Sequence, residues 1–87
     1  MRLHFEKLSG PVYPAYLVVA DYSIALEPEL IESLKKIEAE DNEPFLKGIV
    51  KKVGINRYLR EMIEEEIDKT ENQADLVFKL RNGLKNL

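Results

Sequence analysis

The spacing of apolar residues changes once along the chain, at Pro28, and this change constrains the fold more than any other feature. Before Pro28, side chains alternate with the period of two that is typical of β-strands, over Arg2–Leu8 and over Tyr16–Leu26. After Pro28, apolar residues recur every three to four positions, as in amphipathic helices. A chain of 87 residues is the size of one domain. We therefore predict a single α+β domain with an N-terminal two-stranded β-ribbon (1–26) followed by about four α-helices (28–87).

The longer predicted strand runs from Tyr16 to Leu26 without a break. Its first face carries apolar or aromatic residues along its whole length: Tyr16, Val18, Ala20, Tyr22, Ile24 and Leu26. The opposite face begins with Leu17 and Val19 and then becomes small or polar. We therefore expect both faces of the strand to be covered in its first half and one face in its second half.

Prolines, glycines and capping residues divide the helical region into four segments. The predicted segments are Pro28 to about Ala39, Asn42 or Glu43 to Val53, a helix capped by Asn56 that ends near Lys69, and a helix capped by Asn72. Gly54 is expected to end the second helix, and Gly83 is expected to fray or end the fourth. Gly48 inside the second helix indicates close packing against a neighbour.

Residue composition argues against most enzymatic and metal-binding chemistry. The chain has no cysteine and one histidine, His4, so it offers too few groups for a thiolate, a catalytic triad or a transition-metal site. The longest apolar runs are far shorter than a membrane span, and the first residues do not resemble a signal peptide. We expect a cytoplasmic protein that is not an enzyme and has no cofactor, no metal site and no contact with a membrane.

Charged residues are segregated along the chain. Residues 44–60 contain five basic residues and no acidic one, whereas residues 27–43 and 61–72 have seven and six acidic residues against two and one basic. One interpretation is that these blocks form solvated helix faces that compensate one another within the fold. The other is that the central basic block binds phosphate groups or an acidic partner.

The segment from Lys51 to Ile63 resembles the second helix of ribbon-helix-helix DNA-binding proteins of the Arc/MetJ type and of related antitoxins. The resemblance lies in the phrase Ile-Asn-Arg-Tyr-Leu at 55–59, which follows a basic helix end. It implies that Ile55 packs before the cap, that Tyr58 and Leu59 begin the buried face, and that a DNA phosphate binds at Ile55, Asn56 and Arg57. Upstream, Tyr22, Ile24 and Leu26 would point inward, and Asp21, Ser23 and Ala25 would face the DNA. The spacing from strand to cap is about ten residues longer than in that family.

An alternative alignment treats the same region as a helix-turn-helix, with a first helix at Leu46–Val53, a turn at 54–56 and a second helix at Arg57–Ile67. Both alignments place basic side chains near DNA. The sequence therefore predicts a small dimeric regulator or antitoxin-like protein that binds double-stranded DNA through Lys51, Lys52, Ile55, Asn56, Arg57 and Arg60. The competing hypothesis is a protein-interaction module, such as an adaptor, an inhibitor or a small subunit, that binds a protein partner and no nucleic acid.

The predicted last helix is apolar over more than half of its circumference. Four of its side chains line one side: Val77, Leu80, Leu84 and Leu87. Because a small monomer has little interior in which to cover them, we predict a homodimer that uses these four residues as its interface, with the main strand as a further pairing site. The alternative is that the helices and the ribbon enclose one another within one chain.

Overall fold

The computed structural model describes residues 3–8, 13–38 and 40–87 and shows an α+β fold. Three antiparallel strands form a sheet in the order β1-β2-β3, and four helices follow. The strands are β1 (Leu3–Lys7), β2 (Ala15–Val19) and β3 (Tyr22–Leu26). The helices are α1 (Pro28–Ile37), α2 (Asn42–Val53), α3 (Arg57–Asp68) and α4 (Gln73–Lys85). The predicted class and the four helices are confirmed, whereas the ribbon has three strands instead of two.

The predicted long strand is broken at Ala20 and Asp21, which form a two-residue turn between β2 and β3. Val19 pairs with Tyr22 across this turn. Ala20 has a φ of 53°, in the left-handed region that favours glycine and that costs other residues about 1–2 kcal/mol. Positions 20 and 21 carry neither the Asn-Gly nor the Asp-Gly pair that usually marks such a turn, so no local signal in the sequence indicated the break.

The turn also changes which residues share a face of the sheet. Cross-strand partners lie on the same face, so the pairing of Leu17 with Ile24 places odd-numbered residues of β2 beside even-numbered residues of β3. The inward face therefore combines Leu17 and Val19 with Ile24 and Leu26. The expectation that Tyr16 and Val18 share one face with Ile24 and Leu26 was wrong, because a two-residue turn shifts the alternation by one position.

The core lies between this inward face and the four helices, with α4 packed on β1 and α3 packed on β1 and β2. Every element contributes to one continuous apolar cluster. Its fully buried side chains include Leu17, Leu26, Leu34, Phe45, Ile49, Ile63, Leu80 and Leu84. The sheet and helices thus form two layers around a single core.

The starts of α3 and α4 follow the local signals of the sequence closely. The Asn56 Oδ1 atom accepts a hydrogen bond of 2.9 Å from the Leu59 N–H, and the Asn72 Oδ1 atom accepts one of 3.0 Å from the Asp75 N–H. These are the predicted caps of α3 and α4. The first helix ends at Ile37. Its predicted end, Ala39, lies outside the described residues.

The two helical glycines are positions of close approach. A Cβ atom on Gly48 would lie 2.6 Å from the Cδ1 atom of Ile37, which confirms that α2 packs closely against α1. A Cβ atom on Gly83 would lie 3.3 Å from the Cβ atom of Phe5 on β1. The prediction that Gly83 ends α4 was wrong, because the helix continues to Lys85. The packing of Gly83 against β1 holds this last turn of the helix in place.

The apolar side of α4 faces the interior of its own chain. Val77, Leu80 and Leu84 have at most 1% of their surface exposed, and Leu87 is half-buried against the same core. Three of the four residues predicted as a dimer interface therefore have no surface left to offer a second copy. The single chain covers this side of the helix by itself, and homodimerisation does not follow from it.

Candidate interaction surface around the α2–α3 turn

A three-residue turn, Gly54–Asn56, joins α2 to α3 and sets the position of the basic segment. The Gly54 N–H donates a hydrogen bond of 2.8 Å to the Val50 carbonyl and so ends α2. A Cβ atom on Gly54 would lie only 2.9 Å from both the Cα and the Cβ atoms of Arg60. Glycine is therefore required here by the close approach of the first turn of α3 to the end of α2.

Asn56 is engaged with its own helix. Its side chain holds the Leu59 N–H, and its carbonyl accepts a hydrogen bond of 3.0 Å from the Arg60 N–H. The side chain therefore serves as the cap of α3, as predicted. Its predicted contact with a DNA phosphate stays a prediction, and in this structure the Oδ1 atom already has a partner.

Three large side chains near this turn are unusually exposed. Ile55 has 82% of its surface exposed, Tyr58 60% and Tyr22 52%. The expectations that Ile55 packs before the cap and that Tyr58 begins the buried face were therefore wrong. Tyr22 pairs with Val19 and so lies on the inward face of the sheet as expected, but it lies on the edge strand and about half of its surface is exposed. The buried face of α3 instead consists of later residues, chiefly Ile63 and Ile67. We call Tyr22, Ile55 and Tyr58 the aromatic–isoleucine surface.

The two tyrosines of this surface are in direct contact. The Tyr58 hydroxyl donates a hydrogen bond of 3.2 Å to the Tyr22 hydroxyl, and the rings meet edge to face with centroids 6.3 Å apart. This hydrogen bond, with the proximity of Tyr22, raises the pKa of Tyr58 above its usual value. The contact ties the start of α3 to the start of β3, and it holds two amphipathic rings at the surface in a fixed arrangement.

Two of the five cations in the basic segment are neutralised within their own helices. The Lys47 Nζ atom lies 2.9 Å from Glu43, and the Arg57 Nε atom lies 2.9 Å from Glu61. The hydrogen bond and charge of Lys47 lower the pKa of Glu43. Both pairs join residues four apart on exposed helix surfaces, where such pairs contribute little to stability.

The other three cations, Lys51, Lys52 and Arg60, are exposed and have no ion-pair partner among the described residues. The interpretation that the acidic blocks compensate the basic block within the fold thus holds for Lys47 and Arg57. Three uncompensated cations around one turn form a positive region on a chain whose net charge is −3. A positive region of this kind favours the approach of negatively charged groups.

Two of the six residues predicted to bind DNA lie in a groove and four lie outside it. Lys51 and Arg60 line a groove of about 540 Å³ between α2 and α3, whereas Lys52, Ile55, Asn56 and Arg57 lie outside it. Beyond its first turn, the exposed surface of α3 is acidic, with Glu61, Glu64, Glu65 and Asp68. A helix with this surface is poorly suited to the major groove, since its carboxylates repel phosphate.

Sequence reasoning missed the pairing of Tyr22 with Tyr58 and the exposure of Ile55. The two tyrosines are 36 positions apart, and no periodicity connects them. The apolar character of Ile55 indicated burial, as it does for most isoleucines. The exposure follows from the turn, which is short enough to leave this side chain no neighbouring element to pack against.

Comparison of the chain with protein-family models, with curated proteins and with solved structures gives no significant match. Within the described ranges, no three acidic or histidine side chains form a group that could hold a metal ion. His4 lies 3.2 Å from a carboxylate oxygen of Glu6 on the exposed side of β1. No helix in the described part of the chain has both the length and the apolar character of a membrane span.

Proposed function

We propose that this protein is a non-enzymatic interaction module, such as an adaptor, an inhibitor or a small subunit, that binds an acidic protein partner through the aromatic–isoleucine surface. The observation that carries the proposal is the exposure of Ile55, three residues before Tyr58, together with the exposed contacting pair Tyr22 and Tyr58. Protein interfaces are enriched in tyrosine and arginine at their centres. Because the two rings are already held in contact, binding would order few additional side chains.

The exposed cations of the segments that flank the α2–α3 turn indicate the chemistry of the partner. Lys52, Arg60 and Lys51 are uncompensated, and the Arg57 side chain is 86% exposed although it pairs with Glu61. Cations at the rim of an apolar patch steer an acidic partner towards it and raise the rate of association. We therefore expect the partner to present carboxylates around an apolar contact, and we expect its association rate to fall as salt increases.

Double-stranded DNA is the second candidate partner, and the three uncompensated cations are the observation that favours it. They would contact phosphates near the start of α3, which would make the protein a DNA-binding regulator. The acidic surface of the rest of α3 limits this contact to the turn. Binding of this kind would be electrostatic and independent of DNA sequence.

An affinity enrichment that compares two matched variants separates these candidates. Ile55→Asp places a charge on the aromatic–isoleucine surface, and Phe78→Asp makes the same change at an exposed apolar position on α4. A partner protein should be retained by the wild type and by Phe78→Asp but lost with Ile55→Asp, and the purified partner should reproduce this order in direct titration. Equal retention by all three proteins would contradict the proposal.

A titration with a random-sequence DNA duplex over a salt series tests the second candidate. If DNA is the partner, Lys52→Glu and Arg60→Glu should each lower the slope of log affinity against log salt by about 0.9. Undetectable binding of the wild type at low salt would remove DNA as a candidate. Duplex binding with a steep salt dependence that the uncharged change Ile55→Ser leaves unaltered would favour DNA over an acidic protein.

A further inference from the structure

The strand β3 lies at one edge of the sheet, and its backbone groups point alternately to β2 and to the free side. The Leu8 N–H donates a hydrogen bond of 2.9 Å to the Pro14 carbonyl, so even-numbered residues at this point of the chain bond across to the β1 side. Odd-numbered residues of β2 therefore bond to β3, and their partners in β3 are even-numbered. It follows that the N–H and C=O groups of Ser23 and Ala25 point to the free side of β3.

These outward backbone groups have no partner strand. Among the described residues, no backbone hydrogen bond outside the regular strands and helices involves Ser23 or Ala25. Ser23 is exposed, and Ala25 is half-buried. The edge therefore offers two donors and two acceptors to an incoming strand.

The residues of β3 do not protect this edge. Edge strands are commonly protected by charged side chains, by proline or by a bulge. Residues 22–26 include no charged residue, proline or glycine, and their pairing with β2 continues through all five positions without a bulge. The other edge strand, β1, has His4, Glu6 and Lys7 among its five residues. The β3 edge is thus the more open of the two to pairing with another strand.

The side chains of β3 define the residue pattern of a strand that could pair with it. On the inward side of the sheet, Tyr22 is 52% exposed and Ile24 is half-buried, since no further strand lies beside them. On the other side, Ser23 and Ala25 are small and leave the edge accessible. A paired strand with apolar residues at alternate positions would extend the apolar face beyond Tyr22 and Ile24.

Charges near the two ends of β3 differ in sign. The contact between Tyr22 and Tyr58 brings the start of α3 and the α2–α3 turn, with its three uncompensated cations, to the first end of the strand. At the other end, Glu27 follows the strand directly, is exposed and has no ion-pair partner among the described residues. Asp21, in the turn before Tyr22, is already engaged within the chain. Carboxylates of a bound segment are therefore favoured at the Tyr22 end and repelled at the Glu27 end.

We infer that the acidic partner of the proposed function binds through an extended segment that pairs with the free edge of β3. The segment has apolar side chains at alternate positions over about five residues, a length of about 17 Å, and its acidic residues lie at the Tyr22 end. Because Tyr22 is both the first residue of β3 and a member of the aromatic–isoleucine surface, one segment contacts both. In such strand addition, backbone hydrogen bonds supply affinity and alternate side chains supply specificity. The inference rests on the proposed function, because it assigns a binding mode to the same partner.

A phage-displayed library of random peptides, selected on the wild-type protein, tests the inference. The enriched peptides should have alternating apolar residues with Asp or Glu near one end. Ala25→Pro removes an outward N–H at a position where an edge strand tolerates proline, and it should raise the dissociation constant of an enriched synthetic peptide at least about tenfold. Ala25→Val, the matched control, keeps this N–H and should leave the dissociation constant within about twofold.

Amide hydrogen exchange of the wild type, followed by NMR, gives a second measurement that needs no variant. The bound peptide should slow exchange at Ser23 and Ala25, whereas the Ile24 N–H, which points to β2, should exchange slowly in the free protein already. The absence of enriched peptides would overturn the inference. So would unaltered exchange at Ser23 and Ala25, or a folded Ala25→Pro protein that binds the peptides as tightly as the wild type. Should Ala25→Pro fail to fold, the exchange measurement decides the result.

The failure of this inference and the failure of the proposed function give different results. A protein partner that is lost with Ile55→Asp but fully retained by Ala25→Pro would overturn strand addition and leave the proposed function standing. Equal retention of every protein by the wild type, Phe78→Asp and Ile55→Asp would contradict the proposed function itself, and strand addition of that partner with it.

Discussion

Replacing Leu80 with alanine measures how much of the stability of this small domain depends on the apolar side of α4. The Leu80 side chain is 0% exposed and lies in the continuous core cluster. The substitution removes three carbon atoms, at about 0.8 kcal/mol for each buried methylene, and leaves a cavity that adds to the cost. We expect the free energy of unfolding to fall by about 3 kcal/mol. For a chain of 87 residues, whose total stability is roughly 4–13 kcal/mol, this is a large fraction.

The assay is guanidinium denaturation followed by circular dichroism, at two protein concentrations that differ tenfold. Because Leu80 is buried within one chain, the loss of stability relative to the wild type should be the same at both concentrations. Lys79→Ala, an exposed change on the adjacent residue, should alter stability by less than about 0.5 kcal/mol. A loss below about 1 kcal/mol for Leu80→Ala would refute this account of the core. A loss of stability that changed with protein concentration would indicate that Leu80 lies in an interface between chains.

Three further predictions test the local structure. Ala20→Gly should raise the free energy of unfolding by about 0.5–1 kcal/mol, because glycine adopts the positive φ of this turn without strain, and thermal or chemical denaturation measures the gain. Asn56→Ala should lower it by about 1 kcal/mol through loss of the cap of α3, and an unchanged denaturation midpoint would contradict the hydrogen bond to Leu59. The raised pKa of Tyr58 stabilises the fold below the pH at which an ordinary tyrosine ionises, and this contribution is lost as pH rises through the raised value. Tyr22→Phe should therefore lower the pKa of Tyr58 in ultraviolet titration, and an unchanged titration curve would disprove the hydroxyl contact.

Features that depend on neighbours in sequence were predictable. Asn56 caps α3 through an amide three residues away, and Asn72 does the same for α4, so both helix starts could be recognised from a few letters. Pro28 suits the first turn of a helix and Gly54 the end of one, for reasons that hold in any context. The stripes of apolar residues on the helices gave the class of fold in the same way.

The candidate site was predictable only in part. The exposure of Lys51, Lys52 and Arg60 agrees with the expectation of an accessible basic segment. Lys51 and Arg60 line the groove and Lys52 does not. This difference could not be predicted, because it depends on how α2 and α3 pack against each other. The exposure of Ile55 is likewise a property of the turn between the two helices, and the residue type alone argued for burial.

The sequence by itself determined where the helices begin and where α2 and α3 end, since capping, proline geometry and helical periodicity act over three or four residues. Tertiary structure decided the break at Ala20, where closing the sheet over the core outweighs the cost of a left-handed alanine. It also decided the continuation of α4 past Gly83 and the burial of Leu84, because β1 packs against this part of the helix. The physical reason is the same in each case. Burial of apolar surface depends on which elements meet in space, and it is large enough to override local preferences of about 1 kcal/mol.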